Sequence, residues 1–496
     1  MISKLFRKPS KALTGLLMSA TCTLLMTTLI GCGSNFKYSC VSNCSTPAQA
    51  SVTTTTNSSG VHGFALAGNT FVPLGVNYLI EGHGAYNGNS YQTFDMFDTQ
   101  NFSASTIDQN MQQIASYGFT YVRLWLKGVD TDNGFSSPNA WSLYVNNIVT
   151  TIHSAQKYNL HVVLTGSFPG PTGNGLMPTN YQPAASLIPS NVTGMNQLML
   201  VPAVTQQLGQ FYHDLLTAML VIDPNIASGI FYFDLYNEIH YDLTSLPLSA
   251  NTGTFPYNGV SYNLNDFSTN DTTDSTSRQA LMDIAAQNTV QTLGSAVKAV
   301  MPNLLVTPSS GFNRGSSHAG FDGGLLFAPG VENHYSLRTY YVLQGGADFI
   351  DIHLYPSAQF QTTSTMISSE IVPVSTATTG TTYISAKITP LLSGEFGDTY
   401  SSFSGAGSET AELEAGISQM LSAESSVYCA YNFAGFGVWD WNTYPNANFT
   451  LVDPIDDPGN LYMQAMAPLY NPQYCGQPVV STDAAKTTNS SVPFLP

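Results

Sequence analysis

From residue 63 onward the chain repeats one pattern of hydrophobic and polar positions, in which an amphipathic helix is followed directly by a short apolar strand. Ile107, Met111 and Ile114 fall on one face of a predicted helix. That helix ends at Gly118, and the strand-like run 119–125 follows at once. Further apolar runs of the same kind are predicted strands: 72–78, 160–164, 230–236, 304–307, 349–354, 388–393 and 436–440.

These strands are nearly continuous apolar runs, which is typical of a parallel sheet buried on both faces. The segments that leave the strands, such as 79–104, 166–196 and 240–274, are long, whereas those that lead from helix into strand are short. This asymmetry predicts an α/β fold, a (β/α)8 TIM barrel with long loops on the C-terminal face of its strands. A doubly wound open sheet is the alternative, but no glycine-rich phosphate loop follows the first strand.

The N-terminal segment has the pattern of an export signal. Four basic residues precede an apolar run, 13–30, that ends in Leu29-Ile30-Gly31-Cys32, which resembles a bacterial lipobox. A transmembrane anchor is the alternative, but the run is short and interrupted by threonines. We therefore predict a lipoprotein signal peptide over 1–31 and a lipid anchor on Cys32, and so a protein exported to the bacterial envelope, lipid-anchored at the outer membrane or cell surface, or extracellular.

Behind this signal the composition divides the mature chain into three parts. Residues 32–59 are rich in Ser and Thr and predict a flexible tether. The barrel pattern predicts a single catalytic domain over 60–476, and the polar end, 477–496, predicts a disordered tail. Membrane contact is expected only through the N-terminal lipid.

Cysteine usage fits an oxidising compartment. One cysteine is removed with the signal and Cys32 is consumed by the lipid, which leaves Cys40, Cys44, Cys429 and Cys475. These four permit three pairings, of which local spacing favours Cys40 with Cys44 and Cys429 with Cys475. No Cys/His spacing resembles a zinc site, so neither a metal nor a cofactor is expected.

Composition excludes several classes of protein. The 496 residues include 43% hydrophobic and only 9% charged residues, which supplies a large core and excludes a disordered acidic chain. The 14 Lys and Arg residues face 31 Asp and Glu residues, so a phosphate backbone would be repelled and nucleic acid is excluded as a partner.

Residues that carry chemistry stand at the ends of the predicted strands, where barrel enzymes place their active sites. In chain order they are Arg123 and Trp125 after the second strand, Asn237 and Glu238 after the fourth, His353 and Tyr355 after the sixth, Glu395 after the seventh, and Trp439 and Trp441 after the eighth. As an ordered set they resemble family 5 glycoside hydrolases, the cellulase- and mannanase-like members of a clan of (β/α)8 retaining glycosidases. The runs 63–66 and 71–78 also look like that family's opening hairpin and first strand, so the resemblance spans roughly 63–470.

The resemblance implies a role for each of these residues. Glu238 would be the acid/base and Glu395 the nucleophile, because glycoside cleavage needs one carboxylic acid to protonate the leaving oxygen and one carboxylate to attack. Arg123 and Tyr355 would keep Glu395 ionised by pairing and hydrogen bonding. The implied substrate-binding residues are Arg123, Asn237, His353, Tyr355 and Trp439, together with Trp125 and Trp441, for which core packing is an equal alternative.

The chain departs from the family pattern at two places. The family usually has Pro after Asn-Glu, where this chain has Ile239, and it usually has His after strand three, where 164–167 offers none. Neither departure removes a carboxylate, but both leave the subfamily open.

The activity that the resemblance implies is that of a retaining β-glycosidase acting by double displacement. The expected substrate is a β-1,4-linked polysaccharide such as mannan or cellulose, cleaved in endo fashion by a monomer whose partners are polysaccharides or oligosaccharides. A non-catalytic glycan-binding surface lipoprotein on the same barrel is the alternative. A serine hydrolase is not expected, because the chain contains no Gly-x-Ser-x-Gly elbow.

Overall fold

A computed structural model describes most of the predicted domain. The described residues are 51–78, 97, 102–127, 138–167, 179–250, 252–266, 275–311, 334–354, 388–397, 429–439, 441, 473–475 and 477–478. Cys32, Cys40, Cys44 and Tyr355 lie outside these ranges. So do the signal peptide and nearly all of the predicted tail, so the lipid anchor and the first cysteine pair stay predictions.

Strands and helices alternate through the described chain. The strands are β1 Val52–Thr56, β2 His62–Leu66, β3 Asn69–Phe71, β4 Leu74–Tyr78, β5 Tyr121–Lys127, β6 His161–Ser167, β7 Ile230–Asp234, β8 His240–Asp242, β9 Thr254–Tyr257, β10 Val260–Asn263, β11 Leu305–Thr307, β12 Ser309–Gly311, β13 His334–Ser336, β14 Ile350–Leu354, β15 Leu391–Phe396, β16 Gly435–Val438, β17 Gln473–Tyr474 and β18 Gln477–Pro478. The α-helices are α1 Ala104–Ser116, α2 Pro138–Lys157, α3 Asn196–Leu200, α4 Pro202–Ile222, α5 Arg278–Val300 and α6 Thr339–Gln344.

One parallel sheet forms the centre of the fold. Its nine segments run in the order β11-β7-β6-β5-β4-β16-β15-β14-β12, and every neighbouring pair is parallel. The two segments at the ends of this order, β11 and β12, are separated in the chain only by Pro308. They therefore count as one position in the barrel wall, here called a stave, and the sheet closes into a barrel of eight staves. From β4 to β14, where the structure describes a helix in each connection, helices alternate with the staves. The predicted (β/α)8 fold is confirmed, with strand bounds shifted by a few residues.

Local sequence explains where the helices begin and end. The Ser103 side chain accepts a hydrogen bond from the Thr106 N–H and caps the start of α1. Gly118, just beyond the last turn, has φ +91, a conformation that glycine adopts without strain. The predicted stripe of Ile107, Met111 and Ile114 is fully buried against the barrel, as the periodicity indicates.

A small antiparallel sheet, β1-β2-β3, packs against the barrel interior. The rings of Phe64 and Phe71 lie 5.0 and 5.3 Å from the ring of Phe231, in edge-to-face contact. Val52, paired with Leu66 in this sheet, is only 2% exposed. The predicted tether over 32–59 is therefore wrong at its C-terminal end, because β1 belongs to the folded body. Residues 53–56 of this strand are all threonines and are exposed, so their sequence resembles that of a linker.

Of the long segments predicted to follow the strands, the one after β7 is described over 235–250, 252–266 and 275–277. The segment between β7 and α5 contains β8, β9 and β10, of which β9 and β10 form a hairpin. β8 pairs with β13, from the segment after β12. Residues that follow different staves are thus tied together above the strand ends.

The C-terminal segment is joined to the body by a disulfide between Cys429 and Cys475, which confirms the second predicted pair. Cys429 precedes β16, and Cys475 follows β17. Across the part of the chain that the structure describes, none of the helices has the length and apolar character needed to cross a bilayer.

Candidate active site

Arg123 lies at the centre of the polar residues inside the barrel. It points inward from β5 and is fully buried. Its Nη1 donates to Glu395 Oε1 at 2.5 Å and to Asn77 Oδ1 at 2.9 Å. Its Nη2 donates to Asp234 Oδ2 at 2.6 Å and to Asn237 Oδ1 at 2.8 Å. One guanidinium on β5 therefore links residues from three other strands, β4, β7 and β15, or from the segment that follows β7.

Electrostatics keep this guanidinium charged. Burial by itself lowers the pKa of Arg123, but the carboxylates of Glu395 and Asp234 outweigh burial and raise its pKa well above the ordinary value. The permanent positive charge compensates the carboxylates that face it, as a buried charge requires.

Glu238 and Glu395 face each other across His353. One carboxylate oxygen from each glutamate and a ring nitrogen of His353 all lie within 4.8 Å of one another. His353 Nδ1 is 3.2 Å from Glu238 Oε1 and 3.3 Å from Glu395 Oε2. Retaining glycosidases place their two carboxyl groups about 5–5.5 Å apart, so this close approach fits a covalent double displacement.

The imidazole between the two glutamates is neutral near neutral pH. Burial lowers the pKa of His353 to about 4, against a partial opposing effect of Glu395. A neutral imidazole with its proton on Nδ1 donates to the adjacent carboxylates without adding a second cation. Its Nε2 has no hydrogen-bond partner among the described residues.

The backbone at Glu238 is held in an unusual conformation. Glu238 has φ +46, in the left-handed region that non-glycine residues rarely occupy. Its N–H donates to Ser309 Oγ at 3.1 Å, and the N–H of Ile239 donates to Ser309 O at 3.2 Å. On the other side, the N–H of Asn237 donates to Gly166 O at 2.7 Å.

These hydrogen bonds give a reason for one departure from the family pattern. Proline has no backbone N–H, so it could not make the bond that Ile239 makes to Ser309. The other departure concerns β6, whose Gly166 supplies a carbonyl to Asn237. Backbone groups at both positions hold the segment that carries Glu238.

Two of the predicted tryptophans lie beside the charged cluster. The guanidinium carbon of Arg123 is 4.7 Å from the ring centre of Trp125, a cation–π contact. The rings of Trp125 and Trp439 meet edge to face at 5.4 Å. Trp125 is buried and Trp439 half-buried, so Trp439 is the more exposed to solvent of the two.

Trp441 is packed in the core. It is only 1% exposed, and its ring contacts those of Tyr117 and Phe119 at the end of α1. The assignment of Trp441 to substrate binding is therefore wrong, and the packing alternative describes it. The physical reason is that β16 ends at Val438, so the strand alternation that would place residues 439 and 441 on one face no longer applies.

The structure thus brings seven predicted residues into one cluster: Arg123, Trp125, Asn237, Glu238, His353, Glu395 and Trp439. Tyr355 lies outside the described residues, so its predicted bond to Glu395 stays a prediction. Sequence reasoning missed four buried polar residues that support the cluster: Asn77, Asp234, Ser309 and Asp351. The signal that identified Arg123, a polar residue inside an apolar strand, was also present at Asp234 and Asp351.

Comparison with solved structures finds glycoside hydrolases that are similar to this chain at low identity. An exo-beta-1,4-mannosidase from Opitutaceae bacterium strain TAV5 is 16% identical with a TM-score of 0.46, over 82% of this chain and 57% of that chain. This chain thus spans less than two thirds of that enzyme. An endo-1,4-beta-mannanase from Rhizomucor miehei is 14% identical with a TM-score of 0.47, over 82% of this chain and 98% of that chain.

A glycoside hydrolase family 5 enzyme from Prevotella bryantii B14 is 13% identical with a TM-score of 0.44, over 84% of this chain and 99% of that chain. No protein-family model matches the chain, and no curated protein sequence matches it. The barrel architecture is established by the strand register of this chain itself.

Proposed function

We propose that this protein is a retaining β-glycosidase, an O-glycosyl hydrolase with Glu395 as nucleophile and Glu238 as acid/base. The observation that carries the proposal is the approach of these two carboxylates to within 4.8 Å across His353. That spacing leaves room for the anomeric carbon of a sugar to bond directly to Glu395. It leaves no room for a water molecule between the carboxylate and the anomeric carbon. The family resemblance of the strand-end residues supports the same assignment.

The first step is the attack of Glu395 on the anomeric carbon. Arg123 holds Oε1 of Glu395, and the Nδ1 of His353 lies beside Oε2, so the carboxylate is oriented before substrate binds. As the bond to the anomeric carbon forms, the bond to the leaving oxygen breaks and Glu238 donates its proton to that oxygen.

The second step reverses the role of Glu238. Its carboxylate takes a proton from water, and the resulting hydroxide attacks the anomeric carbon and releases Glu395. Glu238 suits this cycle because its side chain is 24% exposed, against 4% for Glu395, so water can reach it. Asn237, beside it and bonded to Arg123, would hold the sugar 2-hydroxyl.

The proposed substrate is a β-1,4-linked polysaccharide such as mannan or cellulose, cleaved in endo fashion. The half-buried ring of Trp439 would pack against a sugar ring, since aromatic faces offer apolar surface to the C–H groups of sugars. The neighbouring solved structures include an exo-mannosidase and an endo-mannanase, so both modes of action are outcomes of the test.

A reducing-sugar assay over mannan, glucan, xylan and galactan tests the proposal. We expect product from one of the β-1,4-linked glycans with the wild type and none with Glu395→Gln. Product-length analysis separates endo from exo action. Slower migration of the protein in a gel that contains the glycan, without any turnover, would instead support the non-catalytic glycan-binding lipoprotein.

We also propose that the protein acts at the bacterial envelope as a monomer held by a lipid on Cys32. The lipobox-like Leu29-Ile30-Gly31-Cys32 supports this location. Cys32→Ala should release active protein from membranes. A variant that still partitions with membranes would contradict the lipid anchor.

A further inference from the structure

The stave that carries Glu395 contains a β-bulge next to this residue. Between β14 and β15, Asp351 pairs with Leu392 and His353 pairs with Glu395, so two steps on β14 match three on β15. On the other side, Ser393 pairs with Phe436 and Phe396 with Val438, which repeats the mismatch. The extra residue lies at 393–394 relative to β14 and at 394–395 relative to β16, so Gly394 is common to both mismatches. Such a bulge turns the side chain that follows it.

Side chains hold the backbone of this bulge. The N–H of Gly394 donates to Asp351 Oδ1 at 2.6 Å, and the carbonyl of Gly394 accepts from Asn77 Nδ2 at 3.0 Å. A Cβ at position 394 would overlap the carboxylate of Asp351, so glycine provides the space for this contact. Both polar groups of the residue before Glu395 are thus bound by side chains from neighbouring staves.

Asp351 is itself held in place by a hydrogen bond from Tyr232. Its Oδ2 accepts from the hydroxyl of Tyr232 at 2.8 Å, and the whole residue is 1% exposed. A buried carboxyl group costs free energy unless hydrogen bonds compensate it. Here the compensation comes from Tyr232 and from the bulge, which ties the position of Asp351 to that of Gly394.

We propose that Asp351 is a positioning residue for Glu395: it fixes the bulge at Gly394 and thereby the direction in which the carboxylate of Glu395 faces Glu238 and the substrate. This inference rests on the proposed function, and it extends that function to a residue outside the charged pair. Asp351 acts through the backbone of β15 and is not itself a catalytic residue.

The test compares three variants in full-length protein by the rate constant with which a 2-fluoro glycoside labels Glu395. Asp351→Ala removes the acceptor. Asp351→Asn keeps a carbonyl oxygen that can accept from Gly394. Asp283→Asn is the matched control, because Asp283 is an equally buried carboxylate that pairs with Arg338 and lies outside the cluster around Glu395.

We expect Asp351→Ala to lower the labelling rate constant about 30- to 100-fold, since displacing a reacting group by about 1 Å costs on this scale. The dissociation constant of the inactivator should change by less than about 3-fold, and Asp351→Asn should recover to within about 5-fold of wild type. Asp283→Asn should label within about 2-fold of wild type even if its melting temperature falls.

Labelling of Asp351→Ala at the wild-type rate would overturn the inference and leave the proposed function intact. Equal losses in Asp351→Ala and Asp283→Asn would show a general stability effect and overturn it also. If wild-type protein is not labelled at all, the proposed function is wrong, and the inference, which rests on it, is wrong also. Should Asp351→Ala not fold, Gly394→Ala displaces the same carboxylate, and a wild-type labelling rate in that variant counts against the inference.

Discussion

The two carboxylates of the site are held in different ways. The side chain of Glu395 is bound directly by Arg123, the backbone before it is held at Gly394, and the residue lies in a buried stave of the barrel. Glu238 is held through its backbone, which Ser309 binds, and it lies beyond the end of β7 in a left-handed conformation. The side chain of Glu238 is six times more exposed than that of Glu395, at 24% against 4%.

This difference matches what each carboxyl group has to do in the proposed reaction. A nucleophile needs a fixed direction of attack, which the hydrogen bond from Arg123 gives to Glu395. An acid/base must gain and lose a proton in each cycle, so it needs access to water and a neighbour that does not fix its charge. His353, neutral because burial lowers its pKa to about 4, is such a neighbour.

The largest expected effect is that of Glu395→Gln, which removes the group held by Arg123. Turnover of glycan should fall by at least about 10⁴-fold, as for other enzymes that lose a nucleophile. The fold should persist because Asp234 still pairs with Arg123. A 2-fluoro glycoside should label Glu395 in the wild type, as located by peptide mass spectrometry, and label on another residue would reassign the nucleophile.

Glu238→Ala should separate the two roles. Hydrolysis of natural glycan should fall about 10²- to 10⁴-fold, whereas an aryl glycoside with a good leaving group should still form the glycosyl-enzyme. Azide, which needs no deprotonation, should then restore turnover and give a β-glycosyl azide, identified by NMR. An α-azide, or rescue of Glu395→Ala instead, would show that the roles are exchanged.

Arg123→Met tests how far the stability of the buried carboxylates Asp234 and Glu395 depends on one cation. This variant leaves Asp234 and Glu395 buried without their partner, so the free energy of unfolding should fall by about 3–5 kcal/mol. Lys157→Met is the control, because it removes an exposed pair with Asp108 and should cost no more than about 1 kcal/mol. Urea unfolding measures both, and equal losses would contradict this account of Arg123.

Ser309→Ala tests the backbone support of Glu238. Loss of one hydrogen bond to the Glu238 N–H should lower the rate about 10-fold for substrates with poor leaving groups, where proton donation matters most. Activated aryl glycosides should change by less than about 3-fold, so the dependence of rate on leaving-group pKa should steepen. Ser310→Ala is the neighbouring control. A uniform loss across all leaving groups would argue against a specific effect on Glu238.

The smallest effect concerns how stability depends on pH. Burial raises the pKa of Asp351 to about 7, with Asp234 adding to the rise and Arg123 opposing it. Between about pH 4 and 7 the unfolded chain ionises this group while the folded chain keeps its proton, so its contribution to the free energy of unfolding falls as pH rises.

His353 acts in the opposite direction. Between about pH 4 and 6.5 the unfolded chain protonates this histidine while the folded chain does not, so its contribution to the free energy of unfolding rises with pH. Asp351→Asn removes the first contribution and keeps the second. The melting temperature of the variant relative to wild type should therefore increase between about pH 4.5 and 6.5. A difference that stays constant with pH would show that Asp351 does not titrate in this range.

Much of the fold was determined by the sequence alone. The eight staves are short apolar runs that are buried on both faces, and such runs leave a clear local pattern. The order of Arg123, Glu238, His353 and Glu395 at strand ends predicted that they would meet, because the C-terminal ends of parallel strands lie at one end of a barrel. The spacing of Cys429 and Cys475 likewise favoured their disulfide.

Other features were decided only by the tertiary structure. Strand β1 looks like a linker because four of its five residues are exposed, and only its pairing with β2 shows that it is folded. Trp439 and Trp441 are alike in the sequence, yet one flanks the charged cluster and the other is in the core. Which of them would be buried depended on where β16 ended.

The contacts that hold Glu238 and Glu395 in position were also decided only by the tertiary structure. The bulge at Gly394 is a mismatch in register between three strands, and the bonds from Glu238 and Ile239 to Ser309 join staves far apart in the chain. Local sequence carries hydrophobic periodicity and residue type, whereas register and side-chain contact are relations between distant segments. The sequence alone therefore determined the barrel and the candidate residues at its strand ends. Only the closed barrel decided how the side chains of those residues are oriented.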